Sequence, residues 1–297
     1  SSFENLDKLL NDTLSDNLEK ILDSVRGNIG IIKYDAILVD EGQDFNLKWW
    51  NLLRKVLEPG GEMILAYDTS QDIYDKSKKW TDQSMIGAGF PGGAVTELKI
   101  SYRLPVKYLP LVRDFALNFQ KQSLQNLPEL PDTKELNLFD CNFSWLNISE
   151  LNAVDICTSE IVKMMQKDPS DSGKVLNVID IIFLCSSNDL GLKITESLKI
   201  RNKYHFAHTF AKSKIESKRR KHAFFLGNPM LKATTIQSFK GYEAKAIVLY
   251  INKMQDEELT YVGLTRLKEN SEGNFITVIN ANPKFDNFGN KWNRSFK

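Results

Sequence analysis

Residues 36–45 read AILVDEGQDF, an apolar run followed directly by paired carboxylates. The run from Ala36 to Val39 contains no polar residue, which is typical of a strand covered on both faces in a parallel sheet. Mostly apolar runs recur along the chain, and helical stretches separate several of them. Strands that alternate with helices predict an open parallel α/β fold. The other runs are Met63–Ala66, Val178–Cys185, Ala246–Ile251 and Phe275–Ile279.

Helices are predicted from apolar spacing within residues 1–26, over 47–57 and from about Pro105. The second is expected to end at Pro59-Gly60-Gly61, which is a turn signal. The stretch 120–173 has weak periodicity and three prolines, so peripheral loops and short helices are expected there. The helix after Pro105 is expected to bury Tyr108, Leu109, Val112, Phe115, Ala116 and Phe119.

Length and composition limit the class of protein. The chain has 297 residues, which predicts two domains, and 39 basic against 38 acidic residues leave a net charge of +1. Any site for a charged partner must therefore be local. The apolar runs are far shorter than the roughly 18 residues of a membrane span, so no membrane partner is expected. Three widely spaced cysteines argue against a disulfide framework and favour the cytoplasm.

Polar residues follow the apolar runs at the points where parallel strands would end. In open α/β sheets the functional groups collect at the carboxyl ends of the strands. The pattern therefore predicts an active site at that edge. The residues concerned are Asp40 and Glu41, then Asp68 and Gln71, then Gln237, Ser238, Lys240 and Gly241.

Asp40 and Glu41 have two interpretations. The first carboxylate could hold Mg²⁺, usually through water, and the second could orient and deprotonate an attacking water. Alternatively, both could cap the next helix, because carboxylates are favoured at helix N-termini. The pair alone does not decide between these, and the neighbouring Gln43 and Asp44 favour the catalytic interpretation.

DEGQDF at 40–45 closely resembles the second signature motif of superfamily 1 helicases of the UvrD/Rep type. Four further segments are similar to that family's later motifs, in the same order. They are AYDTSQDIY at 66–74, LKISYR at 98–103, TIQSFKGYE at 235–243 and LTYVGLTR at 259–266. Each string is short, but five in the correct order form a specific pattern.

The resemblance implies two RecA-like α/β lobes, each a parallel sheet with flanking helices. Residues 1–96 would hold the C-terminal part of the first, ATP-binding lobe, and 97–297 the complete second lobe. The implied activity is ATP hydrolysis with Mg²⁺, coupled to movement along single-stranded or partly duplex DNA, 3′ to 5′. The short interval between Arg103 and Thr235 implies that the family's large accessory domain is absent or much reduced.

The resemblance also implies roles for individual residues. Glu41 would be the catalytic base and Asp40 would hold Mg²⁺, while Gln71, Arg103 and Arg266 would act on the γ-phosphate. Guanidinium groups suit that role because they stay charged and bind phosphate through two hydrogen bonds. Surface positions are the alternative for both arginines. Nucleotide contacts are implied for Tyr102, Gly241 and Glu243, and DNA contacts for Tyr74, Thr235, Gln237 and Ser238.

The sequence departs from the family pattern at several positions, which indicates a divergent branch. Tyr67 replaces the usual Gly, Lys76 stands where a Trp is expected, and Ser101 replaces Asn. In the fifth motif, Gln237 replaces a common His and Ala244 a common aromatic residue.

No phosphate loop of the form G-x-x-x-x-G-K-[ST] occurs in the 297 residues. The family carries it far upstream of DEGQDF, so the chain is expected to be the C-terminal portion of a longer protein and inactive alone. The alternative is a non-catalytic nucleic-acid-binding or protein-interaction module on a helicase-like scaffold.

The segment from Lys199 to Lys221 holds nine Lys or Arg residues and one acidic residue, Glu216, with aromatic residues interleaved. Such a segment could track a nucleic-acid backbone and stack bases, or it could be a solvated, mobile loop. All three histidines fall in or just after it, but a metal site would need a fourth ligand.

Overall fold

The computed structural model describes residues 13–22, 32–42, 47–67, 96, 103–120, 129, 141–166, 176–202 and 204–295. The chain divides into two compact units, Ser1–Glu97 and Leu98–Lys297. Within the described residues, no helix combines the length and apolar character needed to cross a membrane.

In the first unit, the described residues form two helices and two parallel strands: α1 (13–22), β1 (Tyr34–Val39), α2 (Leu47–Lys55) and β2 (Leu57–Leu65). Its small core forms where Trp50 of α2 packs against Val39 of β1. Two ion pairs join the helices, Lys48–Asp16 at 3.1 Å and Lys55–Glu19 at 2.7 Å.

β1 is not covered on both faces, so that expectation was wrong for this strand. Leu38 of β1 is 72% exposed and Ile64 of β2 is 54% exposed. The apolar face expected for the first helix is also exposed at Leu14 and Ile21. The first unit therefore leaves apolar surface of its sheet and of α1 in contact with solvent.

β2 includes Pro59-Gly60-Gly61, where the sequence predicted a helix end and a turn. The strand accommodates these residues in a bulge. Tyr34 pairs with Leu57, but Ala36 already pairs with Glu62, so β2 carries extra residues opposite Asp35. Gly60 has a φ of 87°, a backbone conformation that glycine adopts without steric cost.

The second unit is built on one sheet in which every strand pair is parallel. The spatial order is β3-β8-β7-β4-β6-β5. This confirms the α/β prediction and is consistent with a RecA-like fold. The strands are β3 (Cys141–Asn147), β4 (Ile181–Cys185), β5 (Phe206–His208), β6 (Leu231–Thr235), β7 (Ala246–Ile251) and β8 (Asn274–Asn280).

Helices cover both faces of this sheet. Val248 and Tyr250 of β7 belong to the core cluster that includes residues of α4 and α5, whereas Leu249 points toward Gly263 of α7. The helices are α3 (Leu109–Phe115), α4 (Ala153–Met165), α5 (Asn188–Asn202), α6 (Lys214–Ala223), α7 (Glu257–Leu264) and α8 (Asp286–Ser295). A π-helical turn, Ala116–Gln120, extends α3, and short 3₁₀ turns lie at Glu150–Asn152, Val178–Asp180, Gln237–Phe239 and Pro283–Phe285.

The stretch 120–173 does not consist only of loops and short helices, as the sequence predicted. It contains the edge strand β3 and the thirteen-residue helix α4. The helix after Pro105 is confirmed, although it begins at Leu109. The residues that were expected to be buried are buried, except Phe119, which is partly exposed. The ring centroids of Phe119 and Phe115 are 4.8 Å apart.

Candidate functional site

Asp40 and Glu41 follow β1 directly, at its carboxyl end in the first unit. The Asp40 carboxylate is exposed, and its Oδ1 accepts the backbone N–H of Glu41 at 2.8 Å. Glu41 has a φ of 53°, a left-handed conformation that is costly for a residue other than glycine and that clusters at functional sites. α2 begins at Leu47, and its first turn contains no acidic residue.

The donor chemistry of this pair suits Mg²⁺. That ion takes one or two protein carboxylates and fills its other positions with water and phosphate oxygens. Among the described residues, no group of three or more His, Cys, Asp and Glu side chains is arranged to hold a metal.

An ion network lies at the amino end of β7 in the second unit. Arg103 Nε is 3.3 Å from Glu243 Oε1, and Lys268 Nζ is 3.4 Å from Glu243 Oε2. The backbone holds Arg103 in the same place, because the Glu269 N–H donates to the Arg103 carbonyl at 2.7 Å. Two residues predicted to contact the nucleotide, Arg103 and Glu243, are therefore brought together although they come from different motifs.

Arg266 joins this network through its backbone, since its carbonyl accepts the Ala244 N–H at 3.0 Å. Its side chain has 0% exposure. Nε donates to the Val262 carbonyl at 2.9 Å and Nη2 donates to Thr265 Oγ1 at 3.0 Å. The guanidinium is thus held against the last turn of α7.

Three of the four residues predicted to contact DNA lie at the carboxyl end of β6, whereas the ion network lies at the amino end of β7. They are Thr235, Gln237 and Ser238. Thr235 and Ser238 are linked twice: the Thr235 hydroxyl donates to Ser238 Oγ at 2.9 Å, and the Ser238 N–H donates to Thr235 Oγ1 at 3.2 Å. The Ile236 N–H donates to the Cys185 carbonyl at 2.9 Å, which fixes the turn to β4. Gln237 is partly exposed between them.

The fifth motif therefore runs from the carboxyl end of one strand toward the amino end of another. A parallel strand must be reached by a crossover, so residues 237–245 return from the carboxyl end of β6 toward the amino end of β7. Gly241 lies on this path with a φ of 83°. Gln237 and Ser238 follow the carboxyl end of β6, as the sequence predicted, whereas Glu243 lies beside the amino end of β7.

A cavity of about 290 Å³ opens next to the ion network, at the amino ends of β4, β6 and β7. Lys245 Nζ pairs with Asp180 at 2.9 Å and with Glu272 at 2.6 Å. Burial lowers the pKa of Lys245, but these carboxylates outweigh burial and raise it overall. Burial lowers the pKa of Lys232, whose Nζ donates to the Ile179 carbonyl at 2.5 Å. The cationic lining is therefore largely balanced by carboxylates and a carbonyl.

Three predicted residues, Gln71, Tyr74 and Tyr102, lie outside the described residues. Conversely, the sequence interpretation did not include Lys268 and Glu269, which contact Glu243 and Arg103. Their positions just after Arg266 were the available signal, because a segment that brings Arg266 to the site brings its neighbours as well.

The basic segment is not a loop. It contains the end of α5, the edge strand β5 and the helix α6. Arg220 of α6 points inward, with Nη1 2.8 Å from His208 Nδ1 and Nη2 2.5 Å from Glu216 Oε1. Burial, and then the Arg220 charge, lower the pKa of His208 to about 4. His208 is therefore neutral at pH 7 and can accept a hydrogen bond from Arg220.

Comparison with known proteins gives limited information. No known protein family matches the sequence, and no curated protein matches it. Among solved structures, the C-terminal domain of a possible DNA helicase from Lactobacillus plantarum WCFS1 is similar, with 14% identity and a TM-score of 0.36. The match covers 63% of this chain and 92% of that domain.

Proposed function

We propose that the chain is part of an ATP-dependent DNA helicase or translocase that moves along single-stranded DNA, 3′ to 5′. The observation that carries this proposal is the network at the amino end of β7. There, the segments that contain Arg103, Glu243 and Arg266 are joined by an ion pair and backbone hydrogen bonds. These segments belong to the three motifs in which the helicase resemblance assigns nucleotide contacts within the second unit.

The chemistry of Arg103 supports this role. Phosphoryl transfer spreads negative charge over the γ-phosphate oxygens, and a cation placed there lowers the barrier. Arg103 is 38% exposed and its ion pair with Glu243 uses Nε. The terminal nitrogens can therefore contact two phosphate oxygens while Glu243 holds the guanidinium in position.

In the first unit, Glu41 would act as the base that orients and deprotonates the attacking water. Asp40 would hold Mg²⁺ through its exposed carboxylate, and the ion would neutralise charge on the phosphates. The left-handed backbone at Glu41 supports a functional role, because such a conformation costs about 1–3 kcal/mol and persists where the surroundings enforce it.

The phosphate loop would come from a preceding part of the same protein. The exposed apolar surface of β1 and β2 supports this, because a sheet with two strands is only marginally stable by itself. We propose that further strands of the first lobe pair with and cover this surface in the intact protein. The chain alone should bind ATP poorly and hydrolyse almost none.

The first test is DNA-stimulated ATP hydrolysis by the intact protein and its Glu41→Gln variant. Loss of a general base should lower the rate roughly 10²–10⁴-fold and leave binding to single-stranded DNA unchanged. Glu58→Gln, at an exposed glutamate of β2, is the matched control. If the intact protein contains no phosphate loop and hydrolyses no ATP while it still binds DNA, the enzyme proposal fails and the non-catalytic module replaces it.

A further inference from the structure

Helix α6 carries a dense positive charge on its outer surface. Lys218, Arg219, Lys221 and His222 are exposed, and Lys212 is exposed just before the Ser213 N-cap. A ten-residue helix is about 15 Å long, so these groups are concentrated on a short segment of the surface. We call Lys212, Lys218, Arg219 and Lys221 the α6 basic surface.

Nearby carboxylates do not neutralise this surface. The one acidic residue of α6 is Glu216, whose carboxylate pairs with Arg220 at 2.5 Å. Among the described residues, the four members of the α6 basic surface form no ion pair. Basic residues elsewhere in the second unit, such as Lys245 and Arg201, do have carboxylate partners.

Helix stability does not account for the whole charge distribution. Cations in the last turn favour a helix, which explains Lys221 and His222. Lys212 lies before the N-terminus, where the helix dipole disfavours a cation. Lys218 lies mid-helix, beside Arg219 and Lys221 of like charge. Repulsion among these cations destabilises the unbound protein, and a bound polyanion would reduce that repulsion.

The α6 basic surface begins near the carboxyl ends of β5 and β6, where the predicted DNA contacts lie. β5 and β6 are adjacent and parallel, and His208 pairs with Ala233. The chain after β5 therefore leaves the sheet beside Thr235, and the Thr209 and Thr234 hydroxyls are 2.6 Å apart there. Lys212 follows three residues later, and α6 then runs back along the edge strand toward β6.

An exposed aromatic residue follows the α6 basic surface in the sequence. Phe225 lies two residues beyond Ala223, the last residue of α6, and is 58% exposed. Ile215 is also exposed on α6. Cations combined with an exposed aromatic ring are typical of surfaces that bind single-stranded nucleic acid, in which phosphates meet the cations and bases stack on the ring.

We infer that the α6 basic surface and Phe225 bind the sugar-phosphate backbone and a base of single-stranded nucleic acid leaving the Thr235–Ser238 turn. The ligand class rests on the proposed function. The location rests on the charge, exposure and topology of α6.

The test is equilibrium binding of a fluorescent oligothymidylate of about 20 nucleotides to the intact protein, without nucleotide and over a range of salt concentrations. The variant is Lys218→Gln/Arg219→Gln/Lys221→Gln. Each lost phosphate contact should reduce the slope of log K against log salt by about 0.7, so a reduction of about 2 is expected. Affinity at low salt should fall at least about tenfold.

The matched control is Lys20→Gln/Lys33→Gln/Lys163→Gln, which removes the same charge from exposed lysines outside α6. It should leave most of the slope unchanged. Phe225→Ala should weaken binding roughly tenfold without changing the slope, because stacking releases no counterions. Circular dichroism of each variant checks that the fold is retained.

Two outcomes would overturn the inference: equal effects of the α6 variant and its control, or displacement of the oligonucleotide by poly-glutamate of matched charge at lower concentrations than by unlabelled oligothymidylate. The second outcome would identify an acidic protein as the partner. The binding assay contains no ATP, so its result is independent of the proposed enzyme activity. If the intact protein hydrolyses no ATP but its binding to the oligonucleotide depends on α6, the proposed function fails and this inference stands.

Discussion

His208 shows how the fold changes the chemistry of a single side chain. Its ring lies beside the Arg220 guanidinium, and burial together with that charge lowers its pKa to about 4, while Glu216 opposes the shift. In an unfolded chain a histidine titrates near 6.5. Between these values, the unfolded chain binds a proton that the folded protein does not bind.

This difference predicts a loss of stability in mild acid. The contribution of His208 is fully present above about pH 6.5 and is lost as the pH falls toward 4. Because the ring is partly exposed, we expect about 1–2 kcal/mol rather than the roughly 3 kcal/mol of the full shift. Urea unfolding between pH 7 and pH 4.5 should show this extra loss in the wild type and not in His208→Gln. His222→Gln, at an exposed histidine of α6, should behave like the wild type, and an equal pH dependence in all three would contradict the account.

The motif pattern predicts nucleotide contacts for Arg103 and Glu243, and these roles stay predictions. The structure places the two side chains 3.3 Å apart. The sequence could not show that Arg266 is fully buried, because burial depends on how α7 packs. It could not reveal the neutral state of His208 either, since that depends on the position of Arg220 on another element.

At the scale of elements, α8 is attached to the edge strand β3 by close packing. A Cβ at Gly289 would lie 2.1 Å from Trp145 Cδ1, so only glycine allows the indole ring to approach the helix. Asn293 reinforces the contact, since its Oδ1 accepts the Trp145 N–H at 2.8 Å. Asp114 of α3 also holds the helix, because it accepts the Trp292 Nε1–H at 2.8 Å.

Gly289→Ala should therefore destabilise the second unit although alanine favours helices. The added methyl group must displace the rigid, buried Trp145 ring, and overpacking of this kind costs roughly 1–3 kcal/mol. The measurement is the free energy of unfolding in urea. Asn287→Ala, on the exposed side of α8, should have little effect. Equal stability of the two variants would show that β3 and α8 do not pack as described.

Elements were predictable where burial is uniform. β7 was predicted at its observed bounds, Ala246–Ile251, because all six residues are buried between two helical layers. β3 was missed because an edge strand needs few apolar residues, and CNFSWLN buries only Trp145 fully. The bulge in β2 was not predicted, because Pro59-Gly60-Gly61 indicates a turn unless the pairing with β1 is known.

At the scale of the whole molecule, the net charge of +1 conceals a strongly uneven distribution. Cations are paired with carboxylates around the amino ends of β4 and β7, whereas the α6 basic surface has no carboxylate partner in the part of the chain that the structure describes. The parallel α/β class was predictable from the alternation of strands and helices, but the six-strand extent of the sheet was not, because the edge strand β3 was missed. The identity of the units as helicase lobes remains a prediction, as does the domain boundary at residues 96–97.

The central claim is that the network at the amino end of β7 acts on the γ-phosphate, and single-turnover ATP hydrolysis by the intact protein with Arg103→Ala tests it most directly. We predict a rate about 10³-fold lower or more with DNA bound, with unfolding stability close to that of the wild type. Arg201→Ala, which removes an exposed arginine paired with Asp155, should retain the wild-type rate. Hydrolysis by Arg103→Ala at the rate of Arg201→Ala would contradict the account.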